Sequence, residues 1–169
     1  MKNLAFIDGQ NLYMSTKNSA IPWRVNLKKF RIFLKDKYKV EQAYYFLGYI
    51  KDGMDELYDT IQEAGFILKF REHSKLMLTK KKGNVDTEIV FEIMKKIYLK
   101  AVNKEDFDKI VLVSGDGDYK QIISFLYDNN LLQIILFPDG RKASSLYNSI
   151  PSQYKLALNR VKNKIALKI

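Results

Sequence analysis

Ile110-Val111-Leu112-Val113-Ser114-Gly115-Asp116-Gly117-Asp118-Tyr119 passes from four aliphatic residues into a turn of glycines and carboxylates. A short apolar run bounded by turn chemistry reads as a strand buried on both faces, and such strands belong to parallel sheets. Near the start of the chain, Leu4-Ala5-Phe6-Ile7-Asp8-Gly9-Gln10-Asn11 repeats the pattern. Two buried strands that each end in an acid ask for a charge partner, because a carboxylate is costly to desolvate alone.

Residues 42–50, 66–70 and 131–137 supply three more strand-like runs, five in all with 4–7 and 110–113. Between them lie segments of helical period at 27–38, opened by an Asn26 cap, at 54–64, closed by Gly65, at 87–102 and at 119–127. The third is the clearest: Ile89, Val90, Ile93, Met94, Ile97 and Tyr98 recur at three and four residues. Strands alternating with helices predict an α/β fold, a mostly parallel five-stranded sheet with helices on both faces. Pro151 is expected to break a last helical stretch at 144–150. Residues 1–156 are expected to form one domain, with 157–169 a basic C-terminal segment of the same unit.

Composition bounds the chemistry. The 169 residues hold 47% hydrophobic and 28% charged side chains, too apolar a mixture for intrinsic disorder. No run is long enough to span a bilayer, and an acid arrives before a signal-peptide core could form, so a cytoplasmic protein with no membrane partner is expected. There is no Cys and a single His, His73. Thiol nucleophiles, thiolate zinc sites and paired-histidine catalysis are therefore excluded, and hydrolytic chemistry must rest on carboxylates, hydroxyls or lysines. The net charge of +10 favours a polyanionic partner such as nucleic acid. Residues 140–169 carry seven Lys and Arg, among them Arg141 and Lys142, and no acid; Lys80, Lys81 and Lys82 form a second cluster before Gly83. Both suit phosphate contacts. Tyr13, Trp23 and Tyr119 are candidates for base stacking, with Trp23 expected to be exposed beside Pro22.

In an open parallel sheet the loops at the carboxyl ends of the strands form the binding edge, above all where the strand order reverses. With the order 3-2-1-4-5, strands one and four adjoin at that reversal, and Asp8, Asp116 and Asp118 converge. Asp86 opens the best helix, where the helix dipole keeps it ionised. Taken singly, each acid has an ordinary explanation as a turn residue or helix cap. Gathered, carboxylates about 4 Å apart repel by around 4 kcal/mol per pair at an effective dielectric near 20, and a cation offsets this. All-oxygen ligands favour Mg²⁺ or Mn²⁺ over zinc.

Phe6-Ile7-Asp8-Gly9-Gln10-Asn11, the stretch Lys81-Lys82-Gly83-Asn84-Val85-Asp86-Thr87-Glu88 and Leu112-Val113-Ser114-Gly115-Asp116-Gly117-Asp118-Tyr119 together resemble the NYN-domain nucleases of the PIN-like superfamily, in their LabA-like bacterial branch. Ala143-Ser144-Ser145-Leu146 is similar to the family's serine-leucine stretch. The resemblance covers most of the chain and rests on three motifs in register. It implies a Rossmann-like PIN fold and metal-dependent phosphodiester hydrolysis, usually of RNA, leaving 5′-phosphate and 3′-hydroxyl ends. It places Asp8, Asp86, Asp116 and Asp118 at the family's acidic positions and Asn11 at its polar companion. Many relatives have Asp where this chain has Glu92.

The resulting expectation is an endoribonuclease in which Asp8, Asp116 and Asp86 hold one or two metal ions. Asp118 is assigned to the second ion or to the attacking water, Asn11 to phosphate or ligand, and Ser114 to orienting Asp8 or Asp116. Lys80, Lys81, Lys82, Arg141 and Lys142 are the expected nucleic-acid contacts, and a homodimer is a possible assembly. The alternative is a non-catalytic RNA-binding module with the same shell. A haloacid-dehalogenase-type phosphatase wants a second Asp two residues after the first, where this chain has Gln10.

Overall fold

The computed structural model describes residues 1–71 and 85–168. Lys80, Lys81, Lys82 and His73 lie outside the described residues. Along the chain run β1 (Asn3–Asp8), α1 (Gly9–Lys17), α2 (Leu27–Tyr38), β2 (Val40–Leu47), α3 (Asp55–Glu63) and β3 (Ile67–Phe70). There follow α4 (Asp86–Ala101), β4 (Ile110–Val113), α5 (Lys120–Asp128), β5 (Leu132–Phe137), β6 (Lys155–Ala157) and α6 (Lys162–Ile165).

Among the described residues the strands form one sheet in the order β3-β2-β1-β4-β5-β6, with every pairing between them parallel. The order reverses between β1 and β4, where Ile7 lies opposite Val113. The two central strands are buried along their whole length, which explains why they read as unbroken apolar runs. Alternation then divides the core. Leu4 and Phe6 face α4 and α5 in one apolar layer, while Ala5 and Ile7 face α1 and α2 in the other. Asp8 shares the parity of Leu4 and Phe6, and so looks toward the α4 side.

Among the described residues the sheet has six strands where five were expected. β6 has only three residues, pairs Ile135 with Lys155, and sits between 3₁₀ turns, too short to show any alternation. The expected helix at 144–150 is a 3₁₀ turn, Ser145–Ser149, capped by Ser144. The sequence pattern also passed over α1. Its buried residues are Gly9, Leu12 and Thr16 alone, so it carries almost no apolar stripe, and Asp8 starts it by capping. Trp23 is buried, not exposed, in the layer that also holds Leu158 and Ile165 from the C-terminal segment. Among the described residues no helix is long and apolar enough to cross a membrane.

Candidate metal centre

Asp8 ends β1 and is only 4% exposed. Both of its oxygens are engaged: Asn11 N–H donates to Oδ1 at 2.9 Å, capping α1, and the Tyr119 hydroxyl donates to Oδ2 at 3.0 Å. Burial pushes the Asp8 carboxyl above the usual carboxylate range, and the nearby charge of Asp116 adds to the rise, against the lowering from Asn11 and Tyr119. The turn onto α1 needs glycine. A Cβ on Gly9 would lie 2.3 Å from the Tyr45 ring and 2.7 Å from the Phe46 carbonyl oxygen.

Asp116 and Asp118 occupy the loop after β4. This loop is held from several sides. The Ser114 hydroxyl accepts from Asp116 N–H at 3.1 Å, Asp116 Oδ1 accepts from Asp118 N–H at 3.0 Å, and the buried Tyr147 hydroxyl donates to the Asp116 carbonyl. Asn11 Oδ1 accepts from Gly115 N–H at 2.9 Å, so α1 and the loop are tied directly. Asp86 enters from the first turn of α4, whose N-cap, Val85, makes no side-chain cap bond.

Asp86, Asp116 and Asp118 each present a carboxylate oxygen such that the three lie within 4.8 Å of one another, grading from the recessed Asp86 to the exposed Asp118. Asp8 is not a member of that group; it stands beside it. The link is Tyr119, whose hydroxyl bonds Asp8 and lies in the field of Asp86 as well. Burial and those two acids hold this phenol protonated well above its ordinary range. Tyr147 is likewise raised, first by burial and then by Asp116, Asp118 and Asp86.

The donor set fits a hard divalent cation. Oxygens on opposite sides of an ion bound at about 2.1 to 2.4 Å lie roughly 4.2 to 4.8 Å apart. Without such a charge, each pair of ionised acids at this spacing repels by on the order of 3 kcal/mol at an effective dielectric near 20.

Of the other expected residues, Arg141 and Lys142 are exposed on the segment after β5, at the same edge. Ser144 N–H donates to the Gly115 carbonyl at 3.0 Å, stitching this segment to the acid loop, and the Lys142 ammonium donates to the Asn18 carbonyl. Glu92 pairs with Lys95 at 3.7 Å and stands outside the acid group. Tyr13 is exposed, whereas Tyr119 is fully buried and offers no face for stacking. Its hydroxyl bond to Asp8 was not visible in sequence, nor was the bond from Tyr147. An aromatic next to an acidic turn was the one available signal. A cavity of about 510 Å³ lined by Leu12, Tyr13, Arg24, Lys28, Tyr45 and Leu57 contains none of the clustered acids.

Residues 4–156 match the NYN domain family. The chain is 25% identical over 154 residues to the low amplitude and bright protein LabA of Synechococcus elongatus, covering 85% of this chain and 77% of that protein. A crystal structure of a protein of unknown function from Vibrio parahaemolyticus superposes with a TM-score of 0.76 at 18% identity, covering 98% of this chain and 96% of the other, and shares the fold.

Proposed function

The chain belongs to the NYN domain family of PIN-like nucleases, and from that premise we propose that it is a metal-dependent endoribonuclease acting at the carboxyl edge of its sheet. The observation that carries this reading is the meeting of Asp86, Asp116 and Asp118, from α4 and the loop after β4, beside the buried Asp8 at the end of β1. A Mg²⁺ or Mn²⁺ ion held by Asp86, Asp116 and Asp118, with Asp8 alongside, would supply an activated water and offset the charge that builds on the scissile phosphate.

The chain's own residues set the geometry. Tyr119 and the Asn11 N–H fix the rotamer of Asp8 through its two oxygens. Ser114 and Tyr147 grip the Asp116 backbone on either side of its carboxylate. With its carbonyl oxygen committed to Gly115, Asn11 has its amide Nδ2 to donate to a phosphate oxygen. Arg141 and Lys142 neutralise backbone phosphates flanking the cut, and we assign Lys80, Lys81 and Lys82 the same role.

The test is incubation of the protein with labelled single-stranded RNA, structured RNA and DNA, in Mn²⁺ or EDTA. The expected result is Mn²⁺-dependent RNA cleavage leaving 5′-phosphates, lost in EDTA and in Asp8→Asn while binding persists. Cleavage that survives EDTA refutes the metal mechanism. Tight RNA binding without cleavage in any metal would make the domain a binding module instead.

A further inference from the structure

The outer face of α4 is apolar where a surface helix should be polar. Its inner side packs Ile89 and Ile93 into the core. On the opposite side Phe91 is 65% exposed, Tyr98 65%, Met94 40% and, one residue past the helix, Val102 41%. Spacings of three, four and four place these four in one stripe, two of them aromatic. Scattered exposed apolar residues are ordinary; a stripe of this kind marks a contact surface.

Charge says what fits it. The chain is +10, so two copies repel unless they meet where the charge is locally balanced. On α4 it is. Beside the stripe Glu92 pairs with Lys95 and Glu88 with Arg71, while Lys96 and Lys100 turn inward, to Glu105 and to the Phe107 carbonyl. Nucleic acid is disfavoured on a face whose charges are already paired within the chain. A second α4 laid antiparallel brings the acid of one Glu92–Lys95 pair toward the base of the other, and opposes the helix dipoles favourably.

The register is self-complementary as well. If Phe91 of one copy lies against Tyr98 of the other, the twofold axis falls between Met94 and Lys95, Val102 meets Thr87, and the pair Glu92 and Lys95, now joined within one helix at 3.7 Å, reaches across to its counterpart. We propose that this face is the interface of a twofold symmetric homodimer built on antiparallel α4 helices. Aromatic side chains cover about 150 to 250 Å² each when fully buried. Two per copy, with the flanking Met and Val, bring the interface near the lower limit of about 1,000 Å² for a specific complex, so a dissociation constant in the micromolar range is expected.

Sedimentation or light scattering of nucleic-acid-free protein, from about 1 to 200 µM, tests this. The wild type should pass from one chain of 19.8 kDa to roughly twice that mass, and the dimer should persist in high salt. Phe91→Glu alone should abolish dimerisation with an unchanged Tm, the side chain being mostly exposed. Phe91→Glu combined with Tyr98→Lys should recover it, since the new opposite charges face each other across the axis. A wild type that stays monomeric at the highest concentration overturns the proposal. So does a dimer that survives Phe91→Glu, and failure of the paired substitutions refutes the antiparallel register.

Discussion

The Tyr119 hydroxyl donates a 3.0 Å hydrogen bond to Asp8 Oδ2 across 111 residues of sequence, joining the end of β1 to the turn after β4. Tyr119 is fully buried and its ring belongs to the α4-side core, so packing positions the donor and the donor positions the acid.

Tyr119→Phe is therefore expected to keep the fold, at a cost of about 1 to 3 kcal/mol for the missing bond to a buried acid. Removal of an orienting partner should weaken Mn²⁺ binding and kcat by about 10- to 100-fold, with RNA affinity unchanged. Calorimetric Mn²⁺ titration beside RNA binding checks this. Equal metal affinity in the two proteins would show that Tyr119 serves packing alone.

The crowding of Asp86, Asp116 and Asp118 makes a prediction that needs no substrate. Asp116→Asn removes one charge and retains an oxygen that can accept the Asp118 N–H, so the metal-free variant should melt at the wild-type temperature or above it. Mn²⁺ should raise Tm in the wild type by more than in the variant. A large fall in Tm for the metal-free variant would mark Asp116 as a structural acid.

Arg141 and Lys142, replaced together by Ala, should weaken RNA binding for all sequences alike. The slope of log affinity against log salt should become shallower by about 0.7 for each single-strand phosphate that is no longer neutralised. Unchanged salt dependence would remove them from the binding face.

Tyr38 closes α2 with a buried hydroxyl that has no hydrogen-bond partner among the described residues. Tyr38→Phe should be neutral or stabilising by on the order of 1 kcal/mol at pH 7. Burial pushes this phenol from an ordinary value of 10.0 up to about 12, so the folded protein holds its proton longer than the unfolded chain. Stability is then lost as pH rises from 10 toward 12, and Tyr38→Phe should flatten that part of the alkaline unfolding curve.

The first five strands were legible because a sheet covered on both faces demands apolar runs, and β1 and β4 have little else. Asp86, Asp116 and Asp118 were legible for the complementary reason: an acid at the end of such a run, or in the first turn of an apolar helix, stands out. β6 and α1 were hidden. The first is three residues long, and the second depends on the Asp8 cap and the packing of Gly9 on Tyr45 rather than on a periodic stripe. Trp23 was misjudged because the residues that cover it, Leu158 and Ile165, lie far along the chain. Such long-range packing leaves no local trace. The same holds for Tyr119 and Tyr147, whose ring burial is a sequence-level commonplace but whose hydroxyl partners are set only by the closed sheet edge.

The most direct measurement is a crystal of the protein soaked in Mn²⁺ and recorded for anomalous scattering at the manganese edge. The expected result is a peak enclosed by Asp86, Asp116 and Asp118, with Asp8 beside it, absent in Asp116→Asn. Strong anomalous density elsewhere, or none at this edge of the sheet in a crystal saturated with Mn²⁺, would contradict it.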